Sequence, residues 1–340
     1  MLSLASVVGR STSVRVGRVG VTSVPRGVLK ALVALAVVVA PSLVVLPAHP
    51  SVVAVDDAVI RAVTWNMCGW KIQDACRYPS IAAKAAETKK VMDLRDANVV
   101  LLQEACQAHV AELARLLGPE WTLHATPYMR WVDDSTSRPI WCGDDHPGSA
   151  AAEAYGSVNV VVGIKEAGIP ASAKTVEYLP GFLGAGRWRH PLLCLTSVSV
   201  AVRACTTHMT WPKEWNSTDS QYEEQNIRRA QAARIVEVLG QDPLAVIGGD
   251  FNAGPPDGPV HPLPELAVMY ASFRECDQAV YGDQRAGRAT NGGYRLDYIF
   301  GKGTWTSCHV EPKPYRDDPN GRRYMSDHQA VAGELVRVPE

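Results

Sequence analysis

Two periods of apolar spacing run through this chain. Ile60-Arg61-Ala62-Val63-Thr64-Trp65-Asn66 alternates every second residue and predicts a strand that closes on Asn66. From Ser80 to Asp96 the spacing becomes helical, with Ile81, Ala85, Val91, Met92 and Leu94 on one side. Asn98 to Glu104 is a near-continuous apolar run ending in an acid, the pattern of a strand buried on both faces. Cys106 to Leu117 reads as a second helix, closed by Gly118-Pro119.

The pattern then turns β-rich. Strands are predicted over Trp121 to Pro127 and Tyr155 to Ile164, with Asp133 to Ala152 a long loop that has Trp131 and Trp141 near its ends. Gly181 to Arg189 is a Gly/Arg/Trp loop. Leu192 to Ser197 and Val200 to Thr206 form a hairpin that delivers His208 at its far end. Tyr222 to Leu239 is a helix with Ile227, Ala230, Ile235, Val238 and Leu239 on its core face. Leu244 to Ile247 is a buried strand leading into Gly248-Gly249-Asp250-Phe251-Asn252. After a Pro-rich loop (Pro255 to Pro264) and a short helix (Pro264 to Ser272), strands are predicted over Arg295 to Phe300, Ser307 to Pro312 and Ala330 to Val338. Lys313 to Arg323 is a polar loop. No repeat and no linker divides residues 55–340, which read as one domain.

Each of six apolar segments ends in polar residues or carries one: Asn66, Glu104, His208, Asp250 with Asn252, Asp297, and Asp327 with His328. Ligand sites of open sheets gather where strands end. Asp250 and Asn252, two apart on an extended segment, should face one pocket, with the glycines allowing a tight turn and a close substrate. A carboxylate and a carboxamide there suit a Mg²⁺ or phosphate site, against the plainer reading of an Asp/Asn turn. Glu104 has a competing reading as a cap on the following helix. Asp297 lies between Leu296 and Tyr298 and needs a partner if buried; His328 is available.

The first 54 residues do not belong to this pattern. Arg10, Arg15, Arg18, Arg26 and Lys30 precede an apolar run from Ala31 to Leu46, with no acid in the segment. That is the layout of a secretory signal peptide, with cleavage after Ala48 or Ala54. The run is about 16 residues, short of the roughly 20 that span a bilayer, so a retained anchor is the lesser reading. Without those five basic residues, 29 Lys and Arg face 35 Asp and Glu, a net charge of about −6. No strong basic field advertises nucleic-acid binding, although a bound cation can supply positive charge locally. All eight cysteines follow the leader. An even count in a secreted chain implies disulfides, and the absence of a C-x-x-C pair argues against zinc. One pairing follows from geometry: Cys194 and Cys205 should lie opposite each other in the hairpin.

Thr64-Trp65-Asn66, Leu102-Gln103-Glu104, Thr207-His208, Gly248-Gly249-Asp250-Phe251-Asn252, Arg295-Leu296-Asp297-Tyr298-Ile299 and Ser326-Asp327-His328 together resemble the ordered motifs of the endonuclease/exonuclease/phosphatase superfamily, the DNase I-like fold. The resemblance runs from about residue 60 to 335. It implies a four-layer α/β/β/α sandwich of two mixed sheets, and hydrolysis of a phosphate ester with Mg²⁺ or Mn²⁺. It implies that Glu104, with Asn66 beside it, and Asp327 serve the metal. Asp250 and Asn252 would orient the attacking water and the phosphate. His328, polarised by Asp297, would sit at the phosphate, and His208 would donate a proton to the leaving oxygen. Arg189, in an Arg-x-Pro segment similar to that of the DNase branch, is the candidate phosphate clamp, with a solvated turn arginine the plain alternative. No acid to support His208 is evident after Trp121; the segment offers His124.

The expected protein is therefore a secreted, metal-dependent phosphodiesterase, foremost an endonuclease acting on DNA or RNA, with no stable protein partner implied. A secreted sphingomyelinase or phospholipase C and a non-catalytic binding member are the alternatives. Trp131, Trp141, Trp211 and Trp215 can stack on bases, enter a lipid interface or simply pack. Calcium as a structural ion is a further expectation for a secreted chain, though no EF-hand loop is present.

Overall fold

The computed structural model describes residues 59–70, 80–143, 148–182, 187–211, 221–255, 265–282, 287–318 and 321–337. They lie in one compact unit, Ala54–Glu340. The expected leader and Trp215 lie outside the described residues. Among the described residues no helix is long and apolar enough to cross a membrane.

In chain order the elements are β1 (Val59–Asn66), α1 (Ile81–Leu94), β2 (Val99–Cys106), α2 (Gln107–Leu117), β3 (Thr122–Pro127), β4 (Met129–Trp131), β5 (Ser137–Pro139), α3 (Ala150–Tyr155), β6 (Val158–Ile164), β7 (Lys174–Tyr178) and β8 (Trp188–Arg189). There follow β9 (Pro191–Ser197), β10 (Val202–His208), α4 (Gln221–Leu239), β11 (Ala245–Asp250), α5 (Ala267–Ser272), β12 (Arg274–Glu275), α6 (Cys276–Tyr281), β13 (Asp297–Gly301), β14 (Thr304–Val310), β15 (Tyr315–Asp318), β16 (Gly321–Tyr324) and β17 (Val331–Val336).

Two six-stranded mixed sheets form the centre, ordered β14-β17-β1-β2-β6-β3 and β12-β13-β11-β10-β9-β7. Their facing side chains, among them Ile60, Leu101 and Val162 from one and Leu193, Ala204, Val246 and Ile299 from the other, make a shared core. The next residue along each strand points the opposite way. Val63, Trp65, Val100 and Leu102 thus pack with Ala85, Met92 and Leu113 of α1 and α2. Ile247 and Cys205 pack with Ile235, Leu239 and Met269 of α4 and α5. The result is helix, sheet, sheet, helix, the four layers that the resemblance implied.

Two parallel pairs aim their C-terminal ends at one edge: β1 with β2, crossed over through α1, and β10 with β11, crossed over through α4. The antiparallel neighbours β17 and β13 begin where β1 and β11 end. Asp297 therefore opens its strand instead of closing it, yet reaches the same edge, opposite Asp250. Gln103 Nε2 ties the sheets beneath this edge, donating to Thr206 Oγ1 at 2.8 Å and Thr64 Oγ1 at 3.1 Å.

The glycines before Asp250 serve packing, not a turn. Both lie inside β11. A Cβ on Gly248 would come within 2.8 Å of Leu101 across the sheet interface, and one on Gly249 within 2.1 Å of the Thr207 carbonyl oxygen. The stretch Lys313 to Arg323, read as a loop, contains an antiparallel hairpin, β15 with β16. Its root is closed by the Met325 N–H donating to the Pro314 carbonyl at 2.8 Å. The short elements β4, β5, β8, α3, β12 and α6 were not legible in the periodicity, because two to six residues are too few to show a period.

Cys194 and Cys205 are bridged, opposite each other in the β9–β10 ladder as expected. Cys106–Cys142 and Cys276–Cys308 are further bridges, and Cys68 is also disulfide-bonded.

Candidate active site

Glu104 is delivered by a bulge. The β2–β6 register shifts between Leu102 and Ala105, and Glu104 takes a left-handed φ of 51°. Such a conformation costs a non-glycine residue of order 1–3 kcal/mol and marks a side chain re-aimed for a purpose. Asn66, at the end of β1, donates through Nδ2 to Glu104 Oε1 at 3.2 Å and to Asp250 Oδ2 at 3.0 Å. Its Oδ1 accepts the Cys68 N–H at 2.9 Å. Asn66 thus bridges two carboxylates through its amide nitrogen.

Asp250 is buried at the end of β11. Both histidines approach its Oδ2 through Nε2, His208 at 3.4 Å and His328 at 3.6 Å. Asn252 does not repeat the direction of Asp250 by strand geometry, because β11 ends at Asp250 and Asn252 has φ 48°. Instead its backbone N–H returns to Asp250 Oδ1 at 2.9 Å and its Nδ2 donates to the Met209 carbonyl at 2.9 Å. The two remain together through that turn.

Asp297 has its expected partner: Oδ2 lies 2.8 Å from His328 Nδ1, and both residues are buried. Burial disfavours charge on His328, but the Asp297 and Asp250 carboxylates outweigh it and hold the ring's pKa well above its ordinary value. Asp250 moves up from the usual carboxylate range because burial and Asp297 both disfavour its charge, against the pull of His328. Burial pushes His208 down to about 4, in spite of Glu104. The carboxylates thus favour charge on His328, and burial disfavours it on His208.

Three functional neighbours escaped the sequence reading. Tyr128 lies just after β3, with its hydroxyl 3.1 Å from His208 Nδ1, where a carboxylate was sought. His124 is not there; it is paired with Val162 within the β3–β6 ladder. Asn291, in the loop before β13, places Nδ2 at 2.7 Å from His328 Nε2. Lys84 of α1, almost wholly buried, donates to the Met67 and Cys68 carbonyls at 2.5 and 2.9 Å and pins the turn after Asn66. Burial lowers its pKa to about 8, against the pull of Glu104 and Asp327. A lysine in a helix that otherwise reads as amphipathic gives no sequence signal of this kind.

Arg189 contacts aromatic rings and a serine. Its guanidinium lies 4.6 Å over the Trp131 ring and 4.4 Å over the Tyr178 ring, and Nη1 donates to Ser137 Oγ at 3.1 Å. Trp131 and Trp141 are partly buried, and Trp211 packs on Trp188 with ring centroids 4.7 Å apart, 6.2 Å from the His208 ring.

Asp250, Asp297 and His328 bring one ligand atom each within 4.8 Å of the others, close enough to surround an ion. In that group His328 Nδ1 is already engaged by Asp297 Oδ2 at 2.8 Å. Glu104 and Asp327 are the least buried carboxylates of the set, with side chains 12% and 48% exposed. Hard oxygen donors of this kind suit Mg²⁺ or Mn²⁺.

A fold of two face-to-face mixed sheets, with these polar residues at one edge, is that of DNase I-like phosphoric ester hydrolases. The chain belongs to the endonuclease/exonuclease/phosphatase family, whose pattern it matches over residues 63–328. Among solved structures it is similar to a family member from Bacteroides thetaiotaomicron, with 13% identity, TM-score 0.53, and coverage of 83% of this chain and 99% of that one. It is similar to another from Beutenbergia cavernae, with 18% identity, TM-score 0.50, and coverage of 82% and 72%. The human nocturnin catalytic domain, solved with bound sulfate, gives 14% identity, TM-score 0.50, and coverage of 82% and 94%. A sequence search of curated proteins gives no match. Family members are phosphoric ester hydrolases and generally use divalent metals.

Proposed function

We propose that the protein is a secreted, metal-dependent phosphodiesterase that cleaves nucleic acid, DNA foremost, as an endonuclease. The observation that carries the hydrolytic reading is the approach of two imidazoles to one carboxylate oxygen of Asp250. Asp250, with its raised proton affinity, takes the proton of the attacking water. Asn252 and Asn66 hold that carboxylate in place. His328, oriented by Asp297 and with its charged form favoured by that carboxylate, serves the phosphoryl group. Glu104 and Asp327 would hold a divalent ion, which would neutralise phosphoryl charge.

Secretion is supported by the basic-then-apolar leader and by the disulfides of the described residues. The nucleic-acid reading is supported by Arg189 stacked between Trp131 and Tyr178, a cationic and aromatic surface of the kind that engages bases and backbone. The hairpin rooted just before Asp327 points the same way. It carries Tyr315 and Tyr324, 46% and 48% exposed, with Lys313 Nζ 5.4 Å over the Tyr324 ring.

A substrate panel tests this reading. Purified protein with Mg²⁺ should nick supercoiled plasmid and leave sphingomyelin and a plain phosphomonoester uncleaved. RNA cleavage extends the substrate range. Sphingomyelin hydrolysis with intact plasmid would replace the reading with a lipid phosphodiesterase.

A further inference from the structure

The partner of His208 is a phenol where an acid was sought, and the difference decides which ring nitrogen carries hydrogen. Tyr128 is fully buried and meets the His208 ring edge-on, centroids 5.7 Å apart at 88°. Its hydroxyl oxygen accepts the Glu104 N–H at 3.3 Å and lies 3.1 Å from His208 Nδ1. A phenol has a single hydrogen to donate. Among the described residues His208 Nδ1 is its acceptor. If Nδ1 donated instead, the buried hydroxyl hydrogen would have no acceptor, at a cost of about 1–3 kcal/mol. Nδ1 therefore accepts. An Nδ1 that accepts leaves the ring's hydrogen on Nε2, the nitrogen 3.4 Å from Asp250 Oδ2. A carboxylate partner would have set the opposite tautomer.

We propose that Tyr128 fixes His208 in the Nε2–H tautomer, so that His208 serves hydrolysis as a stationary hydrogen-bond donor to a phosphoryl oxygen, not as the proton donor to the leaving group. The role of His208 rests on the phosphodiesterase reading above; the tautomer does not. Proton loss from the neutral ring would leave an imidazolate. If the Tyr128 proton followed, it would leave a buried phenolate against Glu104. A hydrogen bond requires neither. The bond from the water oxygen to phosphorus forms, and the bond to the leaving oxygen breaks with its electron pair on that oxygen. The leaving oxygen then takes a proton from solvent, and the imidazole is unchanged.

Two measurements on the full chain test the proposal. In ¹⁵N-histidine spectra, wild-type His208 should show a protonated Nε2 and a bare, hydrogen-bonded Nδ1, and Tyr128→Phe should lose that preference. A protonated Nδ1 in the wild type overturns the assignment. In kinetics, His208→Ala should lower kcat about 10²-fold, the scale for one oriented donor. The loss should be equal for bis(4-nitrophenyl) phosphate, with its good leaving group, and for a dinucleoside phosphate, with a poor one. His208→Gln, which keeps an N–H, should recover part of that loss. Tyr128→Phe should lower kcat about fivefold to tenfold with KM unchanged, the worth of one hydrogen bond. A loss confined to the dinucleoside, or a Gln variant as inactive as Ala, makes His208 a proton donor and overturns the proposed role. A wild type inactive on both diesters refutes the hydrolase reading, while the spectra still decide the tautomer.

Discussion

Asp250→Asn should lower kcat on any phosphodiester by roughly 10²–10⁴-fold, the range an oriented acid–base group contributes, while the protein stays folded. The substitution keeps the size and planarity of the side chain and removes its charge and its capacity to take a proton. The Asn252 N–H retains an oxygen to bond. Asn66 Nδ2 and both imidazoles lose the carboxylate they share. Folding has little to lose, because Asp250 is a buried acid close to a second one, Asp297, and its charged form is disfavoured there. The melting temperature should therefore hold within a few degrees or rise, the stability–activity trade-off expected of a catalytic carboxylate. His328→Ala should lose activity on the same scale. Wild-type-like rates in either purified variant would refute the assignment. Collapse of circular dichroism in Asp250→Asn would make the residue structural.

Arg295→Ala should have the largest effect on stability, about 3–5 kcal/mol, the loss seen when one partner of a buried ion pair is removed. The guanidinium is 1% exposed, donates to Asp277 Oδ2 at 2.9 Å and is paired with Glu275; both acids are buried. Without it Glu275, which caps the start of α6, is left without its cation, and Asp277 keeps only Arg288, whose Nη2 lies 2.7 Å from Oδ1. The same loop carries Thr290, whose Oγ1 accepts the Leu296 and Asp297 N–H groups at 3.0 and 3.1 Å, and Asn291 at His328. Urea denaturation should show a lower midpoint, and heating a melting temperature roughly 10 °C lower. Adding Glu275→Gln and Asp277→Asn should restore part of the loss. A triple variant weaker than Arg295→Ala alone would contradict the charge argument.

The layered fold was legible because its central strands are buried on both faces and so read as long apolar runs ending in polar residues. Asn66, Glu104, His208 and Asp250 could be found that way, since each lies at or near the end of a parallel strand. Asp297 and His328 belong to antiparallel neighbours and lie at the starts of their strands, so a rule about strand ends reached them only through their motifs. The Cys194–Cys205 bridge was legible because a hairpin fixes who stands opposite whom. Tyr128 was not, because a tyrosine after a strand has the composition of ordinary core, and only its distance to His208 Nδ1 gives it a role. Lys84 was hidden for the converse reason. A lysine in a helix implies solvent, and nothing local shows that its amine turns inward onto two carbonyls. Arg189 shows the limit of a motif, which supplied a phosphate role but not the Trp131 and Tyr178 rings that the guanidinium stacks on.

The central claim is that carboxylates and imidazoles from separate strands act on one phosphoric ester with the help of a divalent ion. Its most direct test is hydrolysis of bis(4-nitrophenyl) phosphate by purified wild type and Asp250→Asn, first in EDTA and then with excess Mg²⁺ or Mn²⁺. The account predicts no turnover in EDTA, recovery on metal addition for the wild type, and none for Asp250→Asn. Undiminished turnover in EDTA, or a variant as fast as the wild type, would contradict it.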